Sequence, residues 1–131
     1  MILSLSAKER RYLRGRRQTL CGQEVLLHLP REGPLMEGDV LAGENRFPKV
    51  VVRAAVEDLL VVRTNSLLEL IKASYHLGNR HVELELHSQE LFLLDDTVLA
   101  KMLRGRGLKV EKISKPFFPE LGAYSQVHRQ A

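Results

Sequence analysis

At 131 residues the chain has room for one ordinary domain or two small ones, and 44% hydrophobic with 27% charged residues places it among globular rather than disordered proteins. A single cysteine, Cys21, excludes an intrachain disulfide and a thiolate zinc cluster, so metal chemistry would have to use histidines and carboxylates. The net charge of +4 favours an anionic partner, but 5% aromatic residues and no tryptophan leave few platforms for stacking bases, which speaks against nucleic acid. No apolar run approaches the roughly 18 residues of a membrane span, and Lys8 and Arg10 arrive too early for a signal peptide. The expected compartment is the cytoplasm, with no membrane partner.

The positive charge is concentrated near the start. Lys8, Arg10, Arg11, Arg14, Arg16 and Arg17 stand against the single carboxylate of Glu9. This is either a solvated charged strand or loop, or a docking surface with Arg11, Arg14, Arg16 and Arg17 as its contacts. Gly22 breaks the run, and Glu24 to Leu29 reads as a strand closed by Pro30. Further short extended runs follow at Val40–Leu41, Val50–Val52 and Leu59–Val62, separated by turn residues and by a loop from Gly43 to Pro48. Several short strands without a helix predict a small β module.

The character changes after Asn65. Ser66-Leu67-Leu68-Glu69 has the form of a capping box, and Leu67, Leu68, Ile71 and Tyr75 repeat at helical spacing. A helix is predicted to Leu77, closed by Gly78. From Arg80 the period becomes two: His81, Glu83, Glu85 and His87 should share one strand face, with Val82, Leu84 and Leu86 on the other. A hairpin turn over His87–Glu90 leads to a return strand, Leu91–Leu94. Asp95 and Asp96 can cap a second helix carrying Val98, Leu99, Met102 and Leu103. Leu108–Ile113 is a last strand, and the residues from Ser114 read as an extended tail containing His128.

With Leu59–Val62 as first strand, the order is βαββαβ, a ferredoxin-like arrangement with both helices on one sheet face and the other face open. The expectation is an α+β chain: a small all-β domain over residues 1–64, then a ferredoxin-like domain over 65–131 whose first strand could begin near 57. Enzyme signatures are missing: there is no GxSxG, P-loop, GxGxxG or HExxH. Cys21 reads as a small packed residue and His28 as a strand residue.

One histidine cannot hold a transition ion, but a His near a two-fold axis meets its own copy. His81 is therefore the leading metal candidate, on the expectation that the open sheet face pairs with a second chain. Further donors could come from His128, water or Glu83, and His76, in the last helical turn, is a weaker candidate; the competing reading of a lone strand histidine is a plain surface residue. The alternative is a basic nucleic-acid-binding or protein-docking module without metal.

The run Tyr75-His76-Leu77-Gly78-Asn79-Arg80-His81-Val82 resembles the signature of UreE, the urease accessory nickel metallochaperone family. Leu26 to Leu41, Asp95 to Glu111 and Pro116 to Tyr124 extend the resemblance over nearly the whole chain. It implies an N-terminal β domain similar to peptide-binding domains of Hsp40-type chaperones, then a ferredoxin-like domain that forms a homodimer. It further implies Ni(II) held by His81 across the dimer and passed to the urease accessory GTPase for loading apo-urease, with Zn(II) or Cu(II) competing in vitro. Asp95 and Thr97 stand where some relatives carry an accessory His pair, and the end of the chain is not histidine-rich, so high-capacity nickel storage is not expected.

Overall fold

The computed structural model describes residues 1–31, 33–43 and 49–122. These divide into two compact units, the first formed by the described residues of Met1–Ala55 with Gly122 and the second by Val56–Leu121. The first unit is all β. Strand β1 (Ile2–Leu5) runs parallel to β5 (Lys49–Ala54), which also pairs antiparallel with β4 (Val40–Ala42). A separate ribbon joins β2 (Arg14–Gln18) to β3 (Glu24–His28). Alternation turns Leu3 and Leu5 of β1 and Val50 and Val52 of β5 inward, where Leu27 and Leu35 complete the core.

Strand β1 was not foreseen, and neither was the fate of Arg10, which lies in a 3-10 turn at Glu9–Arg11. Arg10 is 5% exposed and donates to the Leu5 carbonyl at 3.3 Å, so one member of the basic run is structural. Gly15 sits at φ +117°, and a Cβ there would meet Nη1 of Arg17 at 3.0 Å. That nitrogen donates to the Arg16 carbonyl, while Nη2 lies within hydrogen-bond distance of the Tyr12 and Arg14 carbonyls. Arg17 is thus folded back on its own ribbon, whereas Arg14 and Arg16 point outward.

The second unit follows the order β6 (Val56–Arg63), α1 (Leu67–Asn79), β7 (Glu85–Leu86), β8 (Glu90–Leu94), α2 (Thr97–Gly105) and β9 (Lys109–Pro116). Its sheet is antiparallel in the order β7-β8-β6-β9. Leu60, Val62, Leu91, Leu93 and Val110 face the helices and pack with Leu70, Ala73 and Leu77 of α1 and Leu99 and Leu103 of α2. Both helices start on side-chain caps: Ser66 accepts from the Glu69 amide, and Asp96 from the Leu99 amide. Only one arm of the expected capping box forms, because the Ser66 amide donates to Thr64 Oγ1 and Glu69 pairs with Lys72.

The sheet face opposite the helices is not open, contrary to the expectation. Leu59, Val61 and Phe92 lie on it with 0–3% exposure. Nor is the stretch from Ser114 a loose tail. β9 continues to Pro116, Phe117 is wholly buried, and the next residues are bonded to β7, the strand at the far edge from β9. Among the described residues no helix is long and apolar enough to cross a membrane.

Candidate metal centre

The leading candidate, His81, lies at the end of α1. The helix does not stop at Gly78 but continues through Asn79, and the left-handed residue that ends it is His81, at φ 59°. The Val82 amide donates to the Leu77 carbonyl at 3.1 Å and the His81 amide to the Gly78 carbonyl at 3.0 Å, which is the paired pattern of a Schellman motif. Val82 packs against the core that contains Leu77, the apolar contact that accompanies this cap. Glycine usually takes the left-handed position because a side chain there is strained. Here an imidazole occupies it, and the strain is balanced by two backbone hydrogen bonds and the Val82 contact. His81 is exposed and is held by its backbone.

Four residues expected on one strand face are consequently split up. Only Glu85 and Leu86 belong to β7, because His81 and Val82 serve the helix cap and the Leu84 carbonyl accepts from the Glu120 amide instead of a sheet neighbour. Leu84 still faces the core, as alternation predicts. Glu85, expected on a solvated face, is 6% exposed. Its Oε2 lies 2.6 Å from Nε2 of His87 and 3.4 Å from Nζ of Lys115, and its Oε1 accepts from the Phe118 amide at 2.8 Å. Burial pushes the Glu85 carboxyl up, but the His87, Phe118 and Lys115 contacts outweigh it and hold the group below its ordinary value. His87 also meets Phe92 edge-on, and the Lys115 ammonium sits 3.9 Å above the same ring. This cluster was missed because a period-two pattern cannot tell a solvated carboxylate from a buried one when two of its three partners, Lys115 and Phe118, lie 30 or more residues away.

His76 is partly buried in the last turn of α1 with its ring edge-on to Tyr75 at 5.5 Å, a packing position. His128 lies outside the described residues. Asp95 pairs with Lys112, and Thr97 opens α2. Cys21 is exposed at the turn between β2 and β3, not packed as expected, and its thiol is drawn below the ordinary value by the Thr19 hydroxyl and a backbone contact at Gln23. Among the described residues no three side chains of His, Cys, Asp or Glu converge as an ion would require.

α1 also has an exposed apolar face. The buried face of α1 is Leu70, Ala73 and Leu77, and the residues that announced the helix in the sequence point away from it. Leu67, Leu68, Ile71 and Tyr75 are 55–66% exposed and form a stripe along α1.

Residues 57–131 match the model of the UreE urease accessory protein C-terminal domain. Over nearly the whole chain there are similar proteins named urease accessory protein UreE. That of Parasynechococcus marenigrum strain WH8102 is 55% identical over 95% of this chain and 83% of its own length. That of Synechococcus sp. strain WH7805 is 59% identical over 93% of this chain and 70% of its own. A more divergent one, from Prochlorococcus marinus strain AS9601, is 47% identical over 94% of this chain and 83% of its own.

Proposed function

Since the chain belongs to the UreE family of urease accessory proteins, we propose that it is a cytoplasmic nickel metallochaperone, an accessory protein and not an enzyme. Ni(II) is its cargo, held between two copies of the chain and passed through the urease accessory GTPase to apo-urease. The observation that carries this reading is the placement of His81: an exposed imidazole, fixed by its backbone, at the end of a helix with an unpartnered apolar stripe. A two-fold contact along Leu67, Leu68, Ile71 and Tyr75 brings two His81 side chains toward one axis. Imidazole suits nickel, and also copper and zinc, which would compete in vitro. His128 is the next candidate donor. His76 ranks behind it because its ring is packed against Tyr75.

In this reading the second unit is a ferredoxin-like metal-binding and dimerisation domain, and the first unit a partner-binding β domain related to Hsp40 peptide-binding domains. Dimerisation through α1 replaces the sheet-face contact expected from the sequence. Of the four arginines considered for partner docking, Arg14 and Arg16 on the outer face of the ribbon are best placed, with Arg11 beside them. Arg17 is engaged with its own backbone carbonyls.

A carrier needs a site that captures the ion and can also release it, and a surface site shared between two chains meets both needs. The test is activation of apo-urease at limiting nickel in the presence of the accessory GTPase. The wild-type chain should raise the activated fraction, and His81→Ala, equally folded, should not. Equal activation by the variant would rule His81 out as the carrier ligand.

A further inference from the structure

The first unit has a groove of its own. One wall is the stretch from Arg11 to Arg14, which leads from the 3-10 turn into β2, and the other is Leu29 to Arg31, which leaves β3. The Leu29 amide donates to the Leu13 carbonyl at 3.1 Å and joins the walls. Leu13 and Leu29 are half-buried and pack on the core of the unit, which gives the groove an apolar floor. Arg11, Arg14 and Arg31 bring three guanidinium groups to it, and the exposed ring of Tyr12 stands among them. Among the described residues no carboxylate lines it.

The walls are fixed by contacts within the unit. Nη2 of Arg17 lies 3.3 Å from the Tyr12 carbonyl and 3.4 Å from that of Arg14, and the Tyr12 amide donates to the Glu9 carbonyl. The Arg31 guanidinium donates to the Pro34 carbonyl at 2.7 Å and pairs with Asp39 at 3.0 Å, which uses only part of its set of N–H donors. A site that is already formed loses less entropy when it is filled. Arg17 is therefore a support of the groove and not one of its contacts. Arg16 pairs with Glu24 on the ribbon and does not line the groove.

We propose that this groove binds an acidic peptide segment of a protein partner, its carboxylates on the guanidinium groups and an apolar side chain against Tyr12, Leu13 and Leu29. This rests on the reading of the first unit as a partner-binding domain and supplies the chemistry of the partner. A guanidinium meets a carboxylate through two parallel N–H donors, so arginines around an apolar floor select acidic segments that also carry an apolar residue. A nucleic acid would engage the arginines but leave the floor unused, and one aromatic ring is a poor platform for stacked bases. A peptide uses both.

The experiment is a peptide titration of the full-length, isotope-labelled chain, followed through its backbone amide shifts. The probe is a synthetic peptide in which a leucine is flanked on each side by a pair of glutamates. Its glutamine counterpart and a single-stranded oligothymidylate of equal charge are the controls. The glutamate peptide should give saturable shifts at the amides of Tyr12, Leu13, Arg14, Leu29 and Arg31, and the glutamine peptide should not. Arg14→Glu should weaken the glutamate peptide about tenfold, whereas Arg16→Glu, the same change in net charge outside the groove, should weaken it by no more than about twofold. Thermal unfolding checks the fold of both variants, and Arg14→Gln takes the place of Arg14→Glu if the latter does not fold. No saturable shift, shifts centred elsewhere, equal binding of the glutamine peptide, or equal losses in the two variants would each overturn the proposal. Displacement of the peptide by the oligothymidylate would overturn it in favour of nucleic acid. Activation of apo-urease tests the reading beneath it. If the peptide binds in the groove but Arg14→Glu supports activation as well as the wild type, the groove stands as a peptide site and the first unit loses its role as the carrier's partner-binding domain.

Discussion

His81 combines a left-handed backbone with an exposed imidazole, which is the proposed nickel ligand. If the left-handed position is strained, His81→Gly should be more stable than His81→Ala by about 1 kcal/mol in chemical denaturation, although both lose the ligand. Equal stabilities would mean that the cap carries no strain. Nickel binding needs the neutral imidazole, so affinity should weaken as the buffer is made acidic. Glu85 gives a second pH signature. Its carboxyl is held below the ordinary 4.5 in the folded chain, so the stability it contributes is complete above that value and is lost as pH falls through the folded-state pKa. The difference in unfolding free energy between wild type and Glu85→Gln should therefore shrink as the pH falls below 4.5. A difference that failed to shrink below 4.5 would contradict this account of Glu85.

At the scale of elements, α1 was legible as a helix but not in its orientation. Leu67, Leu68, Ile71 and Tyr75 gave the period, and Ser66 gave the start. Leu70, Ala73 and Leu77 form a second apolar stripe on the same helix, and spacing alone cannot say which stripe packs on the sheet. The helix end was misread for a related reason. Gly78 is the residue that best tolerates a left-handed turn, yet the paired hydrogen bonds from His81 and Val82 place that turn three residues later. Gly78 is thus an interior helical residue with open space around it, and Gly78→Ala should stabilise the fold by about 0.5–1 kcal/mol. A loss of stability would argue that the helix does end at Gly78. Leu77 links the two functions of the element, because its side chain is wholly buried in the core and its carbonyl closes the cap. Leu77→Ala should cost about 2–5 kcal/mol by thermal or denaturant unfolding. The βαββαβ order was legible because each element has a local signature. The cluster at Glu85 was not, since it joins residues that are close only after the sheet has formed.

For the whole molecule, the account requires two copies. Among the described residues no cluster of three donors forms, and the exposed stripe of α1 is the surface that would bring a second His81 to the first. Placing a charge in that stripe should separate the chains: Ile71→Glu is expected to raise the dimer dissociation constant on the order of a hundredfold, because a carboxylate would be buried without a partner. Sedimentation equilibrium reads this directly, and a variant that stayed dimeric would move the interface elsewhere. The most direct test of the central claim is a calorimetric Ni(II) titration of the apo-protein and of His81→Ala, with the mass of the assembly measured in the same buffer. The account predicts a tight site filled at one ion per two chains in a dimer, and its loss in a variant that remains folded and dimeric. Tight binding at one ion per chain by a monomer, or binding unaffected by His81→Ala, would contradict it.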